Sequence, residues 1–121
     1  MAIDFSNITL NFDYGGLNDF PNYLKDADIL IDTTPIGMYP HENDQPVATE
    51  DILHSDLIVN DIVYNPLETT LIKEAKKASA TTITGDKMLL YQGAENFKIW
   101  TQKEAPIDIM GQALLEMIEK K

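Results

Sequence analysis

Apolar and polar positions alternate along this chain in two rhythms. Ala27-Asp28-Ile29-Leu30-Ile31 and Leu57-Ile58-Val59-Asn60-Asp61-Ile62-Val63 are short apolar runs bounded by polar residues. Runs of that kind fit strands covered on both faces, as in a parallel sheet. Thr81–Thr84 reads as a third, shorter strand, and Ile8–Phe12 alternates weakly enough to be an edge strand, broken by Gly15-Gly16. Between and after the strands the period becomes helical. Leu17, Phe20 and Leu24 share a face over Leu17–Lys25, with Pro21 admissible only near the start. Asn65-Pro66 is a helix-start signal, Asn as cap and Pro at the first position. It opens a segment carrying Leu67, Leu71, Ile72, Ala75 and Ala78 on one face. Gly85 ends the third strand. A long helix follows from about Lys87 to Thr101, with Leu89, Gly93, Phe97 and Trp100 on one side. Pro106 begins a last helix in which Ile107, Met110, Leu114, Met117 and Ile118 recur at helical spacing.

The resulting order is strand–helix–strand–helix–strand–helix–helix, with buried-type strands. Alternation of that kind predicts an α/β parallel sheet with right-handed crossovers. Residues 33–46 read as a loop. In open α/β sheets ligands sit beyond the carboxyl ends of the strands. The segments that matter are therefore Asp32–Gly37, Tyr64–Pro66 and Gly85–Met88. No G-x-G-x-x-G turn occurs in the sequence, and Gly15-Gly16 reads as a simple turn. The chain reads as the second half of a nucleotide-binding fold.

With 121 residues there is room for a single domain, 1–121, with a modest core. Composition narrows the chemistry. Nine Lys and no Arg face twenty acidic residues, for a net charge of −11. A nucleic-acid or anionic-membrane partner needs a basic surface, so neither is expected. The absence of Arg also removes the side chain best suited to forked phosphate recognition. No cysteine is present, which excludes disulfides and thiolate chemistry. His41 and His54 sit in or beside polar loops and read as solvent-exposed; two histidines cannot build a histidine-rich metal cage. Asp4, Asp13 and Asp19 lack the spacing of a calcium loop. No apolar stretch reaches the length of a membrane span, and the N-terminus has no leader pattern. The expected setting is the cytoplasm.

The post-strand segments carry a resemblance. Asp28-Ile29-Leu30-Ile31-Asp32-Thr33-Thr34-Pro35-Ile36-Gly37-Met38 resembles the D-I-(V/L)-I-N-(A/T)-T-P-I-G-M stretch of shikimate dehydrogenases. Asp61-Ile62-Val63-Tyr64-Asn65-Pro66-Leu67-Glu68-Thr69 is similar to their D-x-(V/I)-Y-N-P-x-x-T segment. Gly85–Ala94 and Phe97-Lys98-Ile99-Trp100-Thr101 resemble the G-L-x-M-L-(V/L)-x-Q-(G/A)-A and F-x-(L/I)-W-T that follow. The four segments keep family order and spacing over residues 27–121.

The resemblance implies a truncated Rossmann-like three-layer fold, with a short parallel sheet and C-terminal helices, forming the later part of an NADP-binding domain. In the family that domain accompanies an N-terminal domain holding the substrate and a catalytic Lys–Asp pair. The reaction is reversible hydride transfer between NADPH and 3-dehydroshikimate, giving shikimate. The likeness places the glycine-rich loop and the catalytic pair outside the matched segment, so the chain alone is expected to be inactive. It implies that Thr33 and Thr34 lie along NADP, Ile62 packs near the nicotinamide, Gly85 lets backbone approach its amide, and Met88 sits against the ring. Tyr64 and Gln92 would reach the substrate, while Asn65 and Pro66 would be structural caps. Asp32 stands where the family usually has Asn, and a carboxylate there would repel a pyrophosphate. Asp86 replaces a common Leu and, with Lys87, reads as a solvated helix start. Two other readings stay open: a non-catalytic α/β module binding a nucleotide or protein, and a quinate/shikimate dehydrogenase using NAD. Tyr91, Trp100, Met110, Met117 and Ile118 are expected to leave an apolar patch that favours a homodimer, as would an open sheet edge.

Overall fold

The computed structural model describes residues 13–120. The expected edge strand Ile8–Phe12 lies outside the described residues. The elements run α1 (Phe20–Leu24), β1 (Ile29–Asp32), β2 (Ile58–Asp61), α2 (Thr70–Lys77), β3 (Thr81–Ile83), α3 (Gly85–Thr101) and α4 (Ile107–Glu119). The strands form one parallel sheet in the order β1-β2-β3. Ile29 pairs with Ile58 and Asp32 with Asp61, so β1 and β2 end side by side. The α/β class, the parallel sheet and the C-terminal helices are as the sequence led us to expect.

Three local expectations are corrected. The link from β1 to β2 contains turns but no helix, in line with the loop read over residues 33–46, so the strict strand–helix alternation does not hold across it. Helix α2 begins at Thr70, not at Asn65-Pro66. Its cap is Thr69, whose side chain accepts the Ile72 N–H. The hydroxyl of Thr69 is held in place by a buried carboxylate, an anchor that Asn65 does not have. Helix α3 begins at Gly85, two residues earlier than expected.

The core lies on one side of the sheet. Leu30 of β1 and Val59 of β2 point into it, where they meet Leu24, Ala48, Leu53, Leu57, Leu71 and Ala75. Each fully buried Leu or Ile contributes about 1.5–3 kcal/mol relative to exposure. The amphipathic face of α2 supplies Leu71, Ile72 and Ala75. Small residues at Ala48 and Ala75 let the 47–57 segment and α2 lie close to the strands. The other side departs from the two-sided burial inferred for β1, because Ile29 and Ile31 are each 57% exposed. An apolar run has no polar alternation to betray an uncovered face. Helices α3 and α4 pack on each other, with Gly93 facing Met110 and Leu90 facing Gly111. Of the expected patch, Trp100 is left 79% exposed and Tyr91 and Met117 are also exposed, whereas Met110 and Ile118 are half-buried.

Candidate functional site

Both β1 and β2 end in an aspartate followed by a turn, and the turns form the walls of a cavity. Asp32 Oδ1 accepts the Thr34 N–H at 2.9 Å. Asp61 Oδ1 accepts the Val63 N–H at 3.0 Å. Each is an Asx turn, in which a short side-chain oxygen replaces the next strand hydrogen bond and bends the chain off the sheet. The Ile62 N–H donates to Asp32 O at 3.1 Å, which ties the two turns together. Farther out, the Tyr39 N–H donates to Asn65 O at 2.9 Å and joins the loop after β1 to the turn after β2.

Between the turns lies a cavity of about 470 Å³. Thr33, Thr34, Pro35, Met38 and Tyr39 form one wall and Ile62, Val63, Tyr64 and Asn65 the other. The volume falls in the range of small-molecule sites, roughly 300–1,000 Å³. Ile62, Val63 and Met38 give an apolar surface, Thr33 and Thr34 supply hydroxyls, and Asn65 supplies an amide. That set suits a flat ring bearing one polar substituent and a sugar. No cation lines the cavity, so it has no means of neutralising a phosphate. Its lining among the described residues suits an uncharged ring and sugar better than a phosphate.

The structure brings Thr33, Thr34, Ile62 and Tyr64 together, four of the residues singled out from sequence. Gly85 lies behind the second wall. A Cβ placed on it would meet Val63 O and would lie 2.6 Å from the Ile62 carbonyl carbon. The close approach that requires glycine is made to the protein's own backbone. Met88 and Gln92, one turn apart on α3, are exposed and do not line the cavity. Pro35, Met38, Tyr39, Val63 and Asn65 are lining residues that the sequence reading did not assign. Asn65 was read only as a cap; its place two residues beyond the end of a strand-like run was the available signal.

The titratable groups near the site also differ from expectation. Asp32 is buried, and its carboxylate makes the acceptor contact that an asparagine oxygen would make. Asp86 is buried rather than solvated and accepts from the Thr84 hydroxyl, with Lys87 Nζ 3.8 Å away. Asp61 is completely buried, and desolvation pushes its carboxyl above the usual carboxylate range. The hydrogen bonds from Thr69 and Val63 work against that rise, and the neighbouring Asp32 adds to it. His54 is half-buried and its Nε2–H donates to Leu24 O at 3.2 Å, so it is a packing histidine rather than a solvated one. Among the described residues no cluster of metal ligands occurs and no helix is long and apolar enough to cross a membrane.

Comparison with known proteins gives the context of this cavity. A family model described as the shikimate 5'-dehydrogenase C-terminal domain matches residues 87–115. The shikimate dehydrogenase (NADP(+)) of Methanobrevibacter smithii is 54% identical over 114 residues, covering 94% of this chain and 41% of that protein. A crystal structure of a shikimate dehydrogenase in complex with NADP+ is 50% identical, with a TM-score of 0.77, over 78% of this chain and 33% of the other. The quinate dehydrogenase of Corynebacterium glutamicum in complex with NAD is 28% identical, with a TM-score of 0.75, over 83% of this chain and 35% of the other. The chain thus spans about two fifths of the length of the curated relative it matches over most of its residues.

Proposed function

Because the chain belongs to the shikimate dehydrogenase family through the C-terminal region it matches, we propose that it forms the nicotinamide side of an NADP-dependent shikimate dehydrogenase cleft. In this reading residues 1–121 are the later part of the NADP-binding domain. The observation that carries the reading is the cavity, where the turns after β1 and β2 converge on one ring-sized space. Ile62 and Val63 hold the flat face of the ring, Thr33 and Thr34 meet the ribose, and Tyr64 reaches from the rim toward the substrate. Gln92 and Met88 join from α3 when the substrate side closes over it. A dihydronicotinamide held there would supply the hydride, with a proton from elsewhere, that converts 3-dehydroshikimate to shikimate. No residue of this chain is assigned that proton transfer. The setting we propose is the cytoplasm.

The test is NADP+-dependent shikimate oxidation, followed at the nicotinamide absorbance. The chain is assayed alone and mixed with the separately made remainder of the Methanobrevibacter smithii relative. Activity is expected only in the mixture. Silence in the mixture, with the two pieces shown to associate, would defeat the reading.

We also propose that the chain on its own pairs with a second copy across the open edge and bare face of β1. Ile29, Ile31 and Trp100 are exposed there and on α3, and β1 pairs with β2 alone among the described residues. The high negative charge opposes association at low salt, so the dimer should strengthen with ionic strength. Sedimentation velocity at tens of micromolar in moderate salt checks this, and a monodisperse monomer there rules it out.

A further inference from the structure

One buried side chain is bonded through Asp61 to the second wall of the cavity and lies near the loop that carries the first, without lining the cavity itself. Thr69 is 1% exposed and caps α2, its Oγ1 accepting the Ile72 N–H at 3.3 Å. The same hydroxyl donates to Asp61 Oδ2 at 2.6 Å, while Asp61 Oδ1 holds the Val63 N–H. A single carboxylate therefore binds the helix cap with one oxygen and the second wall with the other. The first wall arrives at the same place. Gly37 has φ +83°, and a Cβ on it would lie 3.7 Å from Thr69 Cβ and 3.5 Å from Thr70 Oγ1. The loop after β1 thus passes close to the start of α2, and the Thr70 hydroxyl donates to Asp44 O of that loop at 3.2 Å.

We propose that Thr69 is a positioning residue of the ring-binding cavity, acting through Asp61 to hold the Ile62–Tyr64 turn at a fixed distance from the loop after β1. The inference rests on the reading of that cavity as a nicotinamide site, and adds a residue to which that reading gives no role. A hydroxyl is required because the position must accept from one backbone N–H and donate to a carboxylate at once, which only Ser and Thr do at this length. Valine keeps the shape and removes both bonds. The Asp61 oxygen then has no donor and the turn loses one of its two anchors. A wall that is in place for only part of the time lowers apparent affinity by that fraction.

The experiment uses the full chain, with nicotinamide mononucleotide as the probe and the amides of Thr34, Val63 and Tyr64 as reporters in a nitrogen–proton titration. The variants are Thr69→Val and Thr69→Ser, compared at a temperature where both are folded. Thr69→Val is expected to bind the probe about fivefold more weakly, and Thr69→Ser to bind within about twofold of the parent. Val63 amide exchange should accelerate in Thr69→Val and not in Thr69→Ser. Thr69→Ala removes the same hydroxyl without adding bulk, and serves if Thr69→Val does not fold; it should weaken binding as Thr69→Val does. Equal binding and equal Val63 exchange in the parent and the valine variant would overturn the proposal. If the parent itself does not bind the probe, the nicotinamide reading falls, and the exchange measurement still decides whether Thr69 positions the wall.

Discussion

Replacing Gly85 by alanine is expected to destabilise the chain by about 2–3 kcal/mol, read as a lower urea midpoint at unchanged slope. Two effects compete. Alanine is the better helix former, by about 1 kcal/mol in a helix interior and by less in the first turn, where position 85 lies. Against it stands the space the methyl group would need. It would fall on Val63 O and within 2.6 Å of the Ile62 carbonyl carbon. Both obstacles are backbone atoms of a turn already fixed by the Asp61 carboxylate, so neither can rotate aside. Insertion of one methylene-sized group into a packed site costs about 1–3 kcal/mol when side chains can adjust, and more when they cannot. The clash therefore wins. Gly93, also on α3, is the control. A Cβ there would meet only Met110 Cε, at 3.6 Å, so Gly93→Ala should stabilise by up to about 1 kcal/mol. A Gly85→Ala variant as stable as the parent would mean that α3 does not dock on the 62–63 turn as described.

Gly85 also shows how far the sequence could be read. The strands were legible because parallel-sheet strands carry short apolar runs, and their ends were legible as the place for a ligand because that follows from topology alone. Thr33, Thr34 and Tyr64 lie in the segments topology singles out and reach the cavity for that reason, whereas Ile62, inside the strand run, entered only through the resemblance. What the pattern could not carry is non-local. Leu30 and Ile31 look alike in sequence, yet one faces the core and the other solvent, since only the presence of a covering element distinguishes them. Asn65-Pro66 and Thr69 both satisfy the rules for a helix start. The choice is made by Asp61, eight residues away, which holds the Thr69 hydroxyl. The reason for Gly85 was likewise hidden, because the surface it approaches is built by residues more than twenty positions earlier. Gln92 entered only through resemblance, and Met88, though it falls in a segment topology also singles out, does not line the cavity; a helix position carries no sign of the partner it will face.

Asp61 supplies the second large effect, and it depends on pH. Asp61→Ala leaves the Val63 N–H and the Thr69 hydroxyl without their acceptor in a site with no solvent access. Each buried orphan costs about 1–3 kcal/mol, so a loss of about 2–6 kcal/mol is expected near pH 5. The loss should shrink as pH rises. In the folded chain the Asp61 carboxyl is raised, chiefly by desolvation. An acid raised by folding stabilises the fold in its protonated form. That contribution is full below the unfolded value of about 3.9 and is lost as pH rises through the folded value. The parent therefore gives up stability as pH rises between the unfolded and folded values, with a limiting slope of about 1.4 kcal/mol per pH unit, and a variant with no carboxylate does not. Glu68 and Glu74 work in the opposite sense, because Lys76 and Lys77 lower them and their contribution is lost as pH falls. Both pairs are on the surface, where ion pairs are weak, and they are common to parent and variant, so they cancel in the difference. Urea unfolding of the parent, Asp61→Ala and Asp61→Asn from about pH 4 to 8 measures it. The gap between parent and Asp61→Ala should close with rising pH, and Asp61→Asn, which keeps an oxygen for Val63, should gain on the parent over the same range. Parallel pH profiles would mean that Asp61 titrates at its unfolded value, and that the cap of α2 and the wall of the cavity are held by a carboxylate the fold accommodates without penalty.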